Sequence, residues 1–187
     1  MPVGPIAKSL CCAIAALALS SAVACAQTWP GGGGNIGAAA AAATAPDGYS
    51  IHLGAQSLAT NVTLLPAPNF DPVRDLEPVY FIGYATDVMM VPKDSPYKTL
   101  ADVIAEGKAK PGSLNYASTG IGSSGHLATV LFSQMAGLKA QHVPYTSLGA
   151  AMTDLTGGRL SFWISTLGSN LGNVQAGSVR ALAISGA

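Results

Sequence analysis

Cysteine is nearly missing from this chain of 187 residues, and the three present, Cys11, Cys12 and Cys25, all lie near its start. From Gln27 onward there is none, which excludes disulfides and thiolate metal sites from that part. Charge is scarce as well: 9 basic and 9 acidic residues cancel, and charged residues make up 10% of the chain. So even a balance supports neither a nucleic-acid surface nor a polybasic membrane patch. The histidines His52, His126 and His142 show no HExxH or similar metal-ligand spacing. One apolar run, residues 10–24, is short for a bilayer span, and no comparable stretch comes after it.

That run fits export. Lys8 gives a positive start, residues 10–24 an apolar middle, and Ala24, Cys25 and Ala26 a small-x-small cleavage pattern. The reading is a signal peptide over 1–26, cut before Gln27, and a periplasmic destination. Lipidation at Cys25 is the alternative, but Ala22, Val23 and Ala24 lack the leucine expected before it. The remaining chain of about 160 residues suffices for one well-packed domain and is small for two.

Beyond the export segment, helical and strand patterns alternate. Alanines after Gly31 to Gly34 continue a weakly amphipathic helix that needs a partner surface, and Pro46, Asp47 and Gly48 turn the chain into a strand over 49–54. Pro66, Pro68, Pro72 and Pro78 make the next stretch an extended connection. Residues 79–91 supply a strand pair or one bent strand. Thr99 and Asp102 form a capping pair for a helix carrying Leu100, Val103 and Ile104, ended by Pro111 and Gly112. Strands are expected over 114–117, 141–144, 160–165 and 179–184. Between them come a helix with Leu127, Val130, Leu131, Met135 and Leu138 at helical spacing, a helix over 147–155 and a short helical turn over 171–176. The pattern is α/β, a mostly parallel sheet with helices on both faces, which binds ligands at the carboxyl ends of its strands.

One such end is the run NYASTGIGSSGHLATVLFSQMAG, from Asn115 to Gly137. Strand, Gly/Ser/Thr-rich turn and amphipathic helix in that order make an anion cradle, because small residues let N–H groups converge and a helix start leaves N–H groups unpartnered. The backbone N–H groups of Gly120, Gly122, Ser123 and Ser124, with the hydroxyls of Ser118, Thr119, Ser123 and Ser124, are the candidate donors to a carboxylate. A tight connection between strand and helix would read the same way. His126, one turn into the helix, either touches the ligand or braces the loop; Tyr145 and Thr146, after the 141–144 strand, either touch it or pack the wall. Asp154 and Arg159 read as surface or turn residues.

Six ordered markers carry a resemblance: GGNIGA at 33–38, APDGY at 45–49, FDPVRDLEPV at 70–79, LNYASTGIGSSGHLA at 114–128, HVPY at 142–145 and VRALAISG at 179–186. Together they closely resemble the extracytoplasmic solute receptors of tripartite tricarboxylate transporters, the Bug receptors. The resemblance implies a periplasmic binding protein-like, type II flytrap fold of two α/β lobes closing on a small carboxylate. It implies delivery of that carboxylate to membrane transporter subunits, no cofactor and no catalysis. It also implies a ligand loop at Ser118 to Ser124 on the second lobe, and suggests Asn35 on the opposite side of the cleft.

Measured against the family pattern, the first strand, ligand loop, helix and second strand expected between Pro30 and the GGNIGA element are missing, as is the family's continuation past Ala187. The expected division is therefore a partial first lobe over 27–91 and a nearly complete second lobe over 92–187. A remnant of this kind exposes strand edges and apolar faces, so poor order, aggregation or self-association is expected of it. The competing functional reading is a ligand-incompetent fragment of such a receptor. Enzymatic readings fare worse. Ser118, His126 and Asp154 are the residue types of a hydrolytic triad, but no GxSxG elbow surrounds any serine, and GIGSSG lacks both a terminal GK[ST] and the context of a dinucleotide fingerprint.

Overall fold

Val88, Met89, Met90 and Val91 are all buried, yet Val88 and Met90 pack into one core cluster while Met89 and Val91 pack into another. The two-residue period of a strand explains this, since successive side chains leave opposite faces of the sheet and here both faces are covered. The strand is β1 (Asp87–Pro92), fourth in a five-stranded sheet of order β3-β2-β4-β1-β5. Its companions are β2 (Leu114–Ser118), β3 (Ala140–Pro144), β4 (Phe162–Thr166) and β5 (Val179–Ile184). The computed structural model describes residues 34–64 and 69–186. The export segment over 1–26, Gly31 to Gly33, Pro66 and Pro68 lie outside the described residues.

Strands β2, β3 and β4 pair in parallel, while β1 pairs antiparallel with both β4 and β5. Four strands thus run one way and β1 alone runs against them. The expectation of a mostly parallel sheet holds for direction and needs correcting for pairing, because β1 enters between two strands of the α/β alternation. The same periodicity sorts β4, where Phe162 and Ile164 join Tyr116 and Val103 on one face and Trp163 joins Ala151, Leu155 and Leu160 on the other.

Helices α3 (Leu100–Ala109), α4 (Ser124–Ala136), α5 (Leu148–Thr156) and α6 (Leu167–Gln175) connect these strands. Helix α3 begins with the expected capping box: Thr99 Oγ1 accepts from Asp102 N at 3.2 Å and Asp102 Oδ2 accepts from Thr99 N at 2.9 Å. Ser147 caps α5 by accepting from Ala150 N at 3.2 Å. Helix α4 ends on Gly137 at φ 66°, a left-handed cap that glycine adopts without a Cβ penalty. Arg180 of β5 gathers the carbonyls of Lys93, Ser95 and Tyr97, tying the segment after β1 to the sheet edge.

Ahead of the sheet come α1 (Asn35–Ala42) and α2 (Ser57–Leu64), which pack on each other. Helix α1 is the alanine helix, with Ala38 buried, while α2 has no counterpart among the expected elements. Three expectations are corrected. Residues 49–54 and 79–86 form no strand, and Tyr49, Ile51, Tyr80 and Tyr84 are exposed, because among the described residues no strand lies alongside to complete a ladder. Leu131 and Met135 of α4 face outward, and the buried face is made by Gly125 and Thr129 instead. The short helical turn at 171–176 is the end of α6, which starts at Leu167.

Candidate functional site

Strands β2, β3 and β4 end side by side, and a cavity of about 430 Å3 opens there. Thr119, Ser123, Ser124 and Gly125 line it from the β2–α4 loop, Thr146, Ser147 and Leu148 from the segment after β3, and Trp163 to Thr166 with Ser169 from β4 and α6. Gly34 and Ala55 to Ser57 close it from the α1–α2 side. None of these lining residues carries a charge. Hydroxyls, the Gln56 amide and backbone groups are therefore the polar groups they present.

The loop owes its shape to backbone that only small residues tolerate. Gly120 and Gly122 have φ of 130° and 83°. Gly122 also lies against Asn61 of α2, leaving no room for a Cβ, and Asn61 Nδ2 donates to Asn35 Oδ1 at 2.8 Å. Gly125 is the more tightly constrained by its surroundings, since a Cβ at Gly122 would meet the end of a side chain, whereas at Gly125 it would run into the backbone carbonyl of Ile164 in β4. This close approach aims the first turn of α4 at the end of the sheet. Ser123 caps it, its Oγ accepting from His126 N at 3.4 Å, and the first intrahelical bond is made by Leu127 N to Ser123 O. The N–H groups of Ser124 and Gly125 precede that bond, at the positive end of the helix dipole.

Of the residues singled out by sequence, Thr119, Ser123, Ser124 and Thr146 line the cavity. Ser118 is fully buried behind the loop: Gly120 N donates to its Oγ at 3.1 Å, the Oγ is 3.2 Å from Gly120 O, and His142 Nε2 lies 2.6 Å away. Gly122 N donates to His126 Nδ1 at 3.4 Å, so both act within the loop. The Tyr145 ring packs against the core, its hydroxyl donates to Asp154 Oδ2 at 2.6 Å, and Asp154 Oδ1 accepts from Arg159 Nε at 2.7 Å. Burial, and then Asp154, push the Tyr145 phenol up to about 12. The Tyr145 bond and the Arg159 guanidinium hold the Asp154 carboxyl below its usual value.

Sequence reasoning missed the pairing of His142 with His126, whose ring centroids are 4.6 Å apart, with Tyr116 stacked on His142 at 5.1 Å. Burial lowers the proton affinity of both imidazoles, and the charge His126 would carry lowers that of His142 further. The signal was strand parity: Tyr116 and His142 are register partners, and Ser118 shares the Tyr116 face two residues on. A serine at 2.6 Å from an imidazole is also the start of a hydrolytic dyad. Here the Oγ is enclosed and committed to Gly120, and Asp154 belongs to Tyr145 and Arg159. Among the described residues no group of His, Cys, Asp or Glu is arranged to hold a metal, and no helix is long and apolar enough to cross a membrane.

Comparison with known proteins places this geometry. The profile of the tripartite tricarboxylate transporter family receptor matches residues 15–187. Protein BugT of Bordetella pertussis is 35% identical over 160 residues, covering 84% of this chain and 49% of BugT. A protein of Pseudomonas sp. from the tcbD-tcbE intergenic region is 32% identical, over 82% of this chain and 46% of its own. Among solved structures, R. palustris Rpa4515 with adipate superposes at a TM-score of 0.78 with 34% identity, over 82% of this chain and 52% of that one. MatC from Rhodopseudomonas palustris with bound malate superposes at 0.72 with 26% identity, over 84% and 54%. The chain thus shares the flytrap fold of periplasmic binding proteins and spans about half the length of the curated relatives it matches.

Proposed function

The chain belongs to the tripartite tricarboxylate transporter receptor family, and from that premise we propose that it serves as an extracytoplasmic receptor for a small carboxylate, a binding protein and not an enzyme. The observation that carries this reading is the cavity, lined by hydroxyls, by the N-terminus of α4 and by no charged side chain. Several neutral donors and a helix start stabilise one carboxylate without a full countercharge. Thr119, Ser123, Ser124 and Thr146 are the direct donors in this reading, with the Ser124 and Gly125 N–H groups. Ser118, Gly120, Gly122 and His126 shape the loop, and Tyr145 forms wall.

Trp163, Ile164 and Leu148 give the cavity an apolar side suited to the methylenes of a dicarboxylate or to an aromatic ring. Adipate and malate, found on two relatives, are accordingly the first ligands to try. Export by cleavage before Gln27, and delivery of the ligand to membrane transporter subunits, complete the proposal. So does a two-lobe division, placed just before Asp87 and not at residue 91 because β1 belongs to the sheet it helps to build.

Calorimetric titration and thermal melting of the chain from Gln27 with adipate, malate, succinate, citrate, glutamate and benzoate test it. A ligand at a hundred times its Kd adds about 2.7 kcal/mol of stability, a clear rise in Tm. A cooperative melt that none of these acids moves, with no heat on titration, overturns the receptor reading in favour of a ligand-incompetent fragment.

A further inference from the structure

Behind the cavity wall, two imidazoles in ring contact each take part in a hydrogen-bonded set that reaches a glycine amide, one of them through a buried hydroxyl. Ser118 Oγ is fully buried and has three polar neighbours: Gly120 N at 3.1 Å, Gly120 O at 3.2 Å and His142 Nε2 at 2.6 Å. One hydroxyl satisfies all three if His142 Nε2–H donates to Oγ, Oγ–H donates to Gly120 O and Gly120 N–H donates to Oγ. With the proton on Nδ1 instead, Oγ–H donates to Nε2 and Gly120 O keeps Ser123 N as its donor, so His142 holds the hydroxyl in either tautomer. At the neighbouring imidazole the donor is a backbone amide: Gly122 N–H donates to His126 Nδ1 at 3.4 Å, which places the proton of the neutral His126 ring on Nε2. The rings meet at 4.6 Å, and Tyr116 stacks on His142.

We propose that His142 is a positioning residue for the β2–α4 loop, holding Ser118 Oγ against Gly120 while His126 holds Gly122, so that the imidazole pair sets the path of the chain into α4. Gly120 and Gly122 are the two loop residues with left-handed φ, and their conformations decide where Thr119, Ser123 and Ser124 stand at the cavity. A glycine with this freedom keeps one conformation only if something outside it does so. Ser118 and His126 do this directly, and His142 does it through Ser118.

The hold of His142 on the loop stands on geometry, whereas its effect on ligand rests on the receptor reading. Two readouts keep them apart. Amide hydrogen exchange of the full chain, followed by NMR, compares wild type with His142→Phe, which keeps a flat ring against Tyr116, and with His142→Gln, which restores an N–H donor. Ser118→Ala serves where His142→Phe fails to fold. The expected result is a rise of about tenfold in Gly120 exchange in His142→Phe and Ser118→Ala, recovery in His142→Gln, and unchanged exchange at Tyr116 and Ala117 in β2. Unchanged Gly120 exchange overturns the proposal, and so does a rise shared with Tyr116 and Ala117 or a failure of His142→Gln to recover. Titration with malate and adipate is the second readout. If wild type binds either acid, affinity falls in step with Gly120 protection, and an affinity that stays constant while protection is lost overturns the positioning role. If wild type binds neither, the titration is repeated with succinate, citrate, glutamate and benzoate; if none of them binds, the receptor reading fails and the exchange data alone decide for or against His142.

Discussion

Gly125 of α4 lies so close to the Ile164 carbonyl of β4 that no side chain fits between them. This contact fixes the depth at which the helix start meets the strand ends. Gly125→Ala must push α4 off β4, and overpacking of this kind costs about 1–3 kcal/mol. Urea denaturation of the chain from Gln27 measures it. A midpoint equal to that of wild type means that α4 has room to move and that the seat is not fixed by this residue.

The Thr99 cap is a smaller and cleaner case. Thr99→Ala removes the oxygen that accepts from Asp102 N and leaves the Asp102 side chain able to accept from Lys98 N and Thr99 N. A loss of about 1 kcal/mol is expected in the same denaturation experiment, with the m-value unchanged. A loss near zero would show that the carboxylate alone holds the helix start.

These two contacts also show which parts of the fold are legible in sequence. Thr99 and Asp102 are three residues apart, and a local pattern with a local cause is read directly. Strands β4 and β5 were legible for the same reason, each being a largely apolar run bounded by turns, and β2 and β3 from their places on either side of the Gly/Ser loop and its helix. Residues 49–54 and 79–86 carry the same local pattern and failed as strands, because a strand exists only beside a partner and sequence periodicity does not report one. In the candidate site, the Gly/Ser loop was legible from its composition. The meeting of His126 with His142, and of Asn61 with Gly122, depends on register and on a helix that has no charge or large apolar stripe to announce it.

The imidazole pair gives the chain a pH dependence whose sign is fixed. Burial keeps both folded-state values below the ordinary 6.5. As pH falls through 6.5 the unfolded chain takes up protons that the folded chain declines, so stability is fully present above that value and is shed toward the lowered folded values. Asp102 and Asp154, held below 3.8, shed theirs only at lower pH, and Asp87, pushed up by burial, works in the opposite sense. Urea midpoints should therefore fall between about pH 7 and about pH 5, and the fall should shrink in His142→Phe. A flat profile over that interval contradicts burial of the pair.

Tyr145 separates wall from ligand contact. Tyr145→Phe keeps the ring in the core and deletes the hydroxyl that donates to Asp154. Stability is expected to drop by about 0.5–1.5 kcal/mol, the Asp154 carboxyl to titrate closer to its usual value, and carboxylate affinity to stay where it was. An affinity loss of tenfold or more in calorimetry would return Tyr145 to the ligand.

Ser124 allows the proposed anion donor to be removed without touching the helix. It is the first residue of α4, and Ser123 before it has φ −67° and ψ 158°, the extended conformation that a following proline requires. Proline at the first helical position is well tolerated, because the N–H it lacks has no intrahelical partner there. Ser124→Pro should therefore melt within about 0.5 kcal/mol of wild type while deleting one of the N–H groups directed at the cavity. Ser124→Ala, which loses the hydroxyl and keeps the N–H, is its control. If the helix start holds the carboxylate, Ser124→Pro weakens malate or adipate binding about tenfold and Ser124→Ala weakens it less, a charge-assisted N–H bond contributing more than a neutral one. Equal affinities in the two variants would shift the anion away from the α4 amides and onto the hydroxyls of Thr119, Ser123 and Thr146, leaving the cavity as the site but not the helix as its electrostatic source.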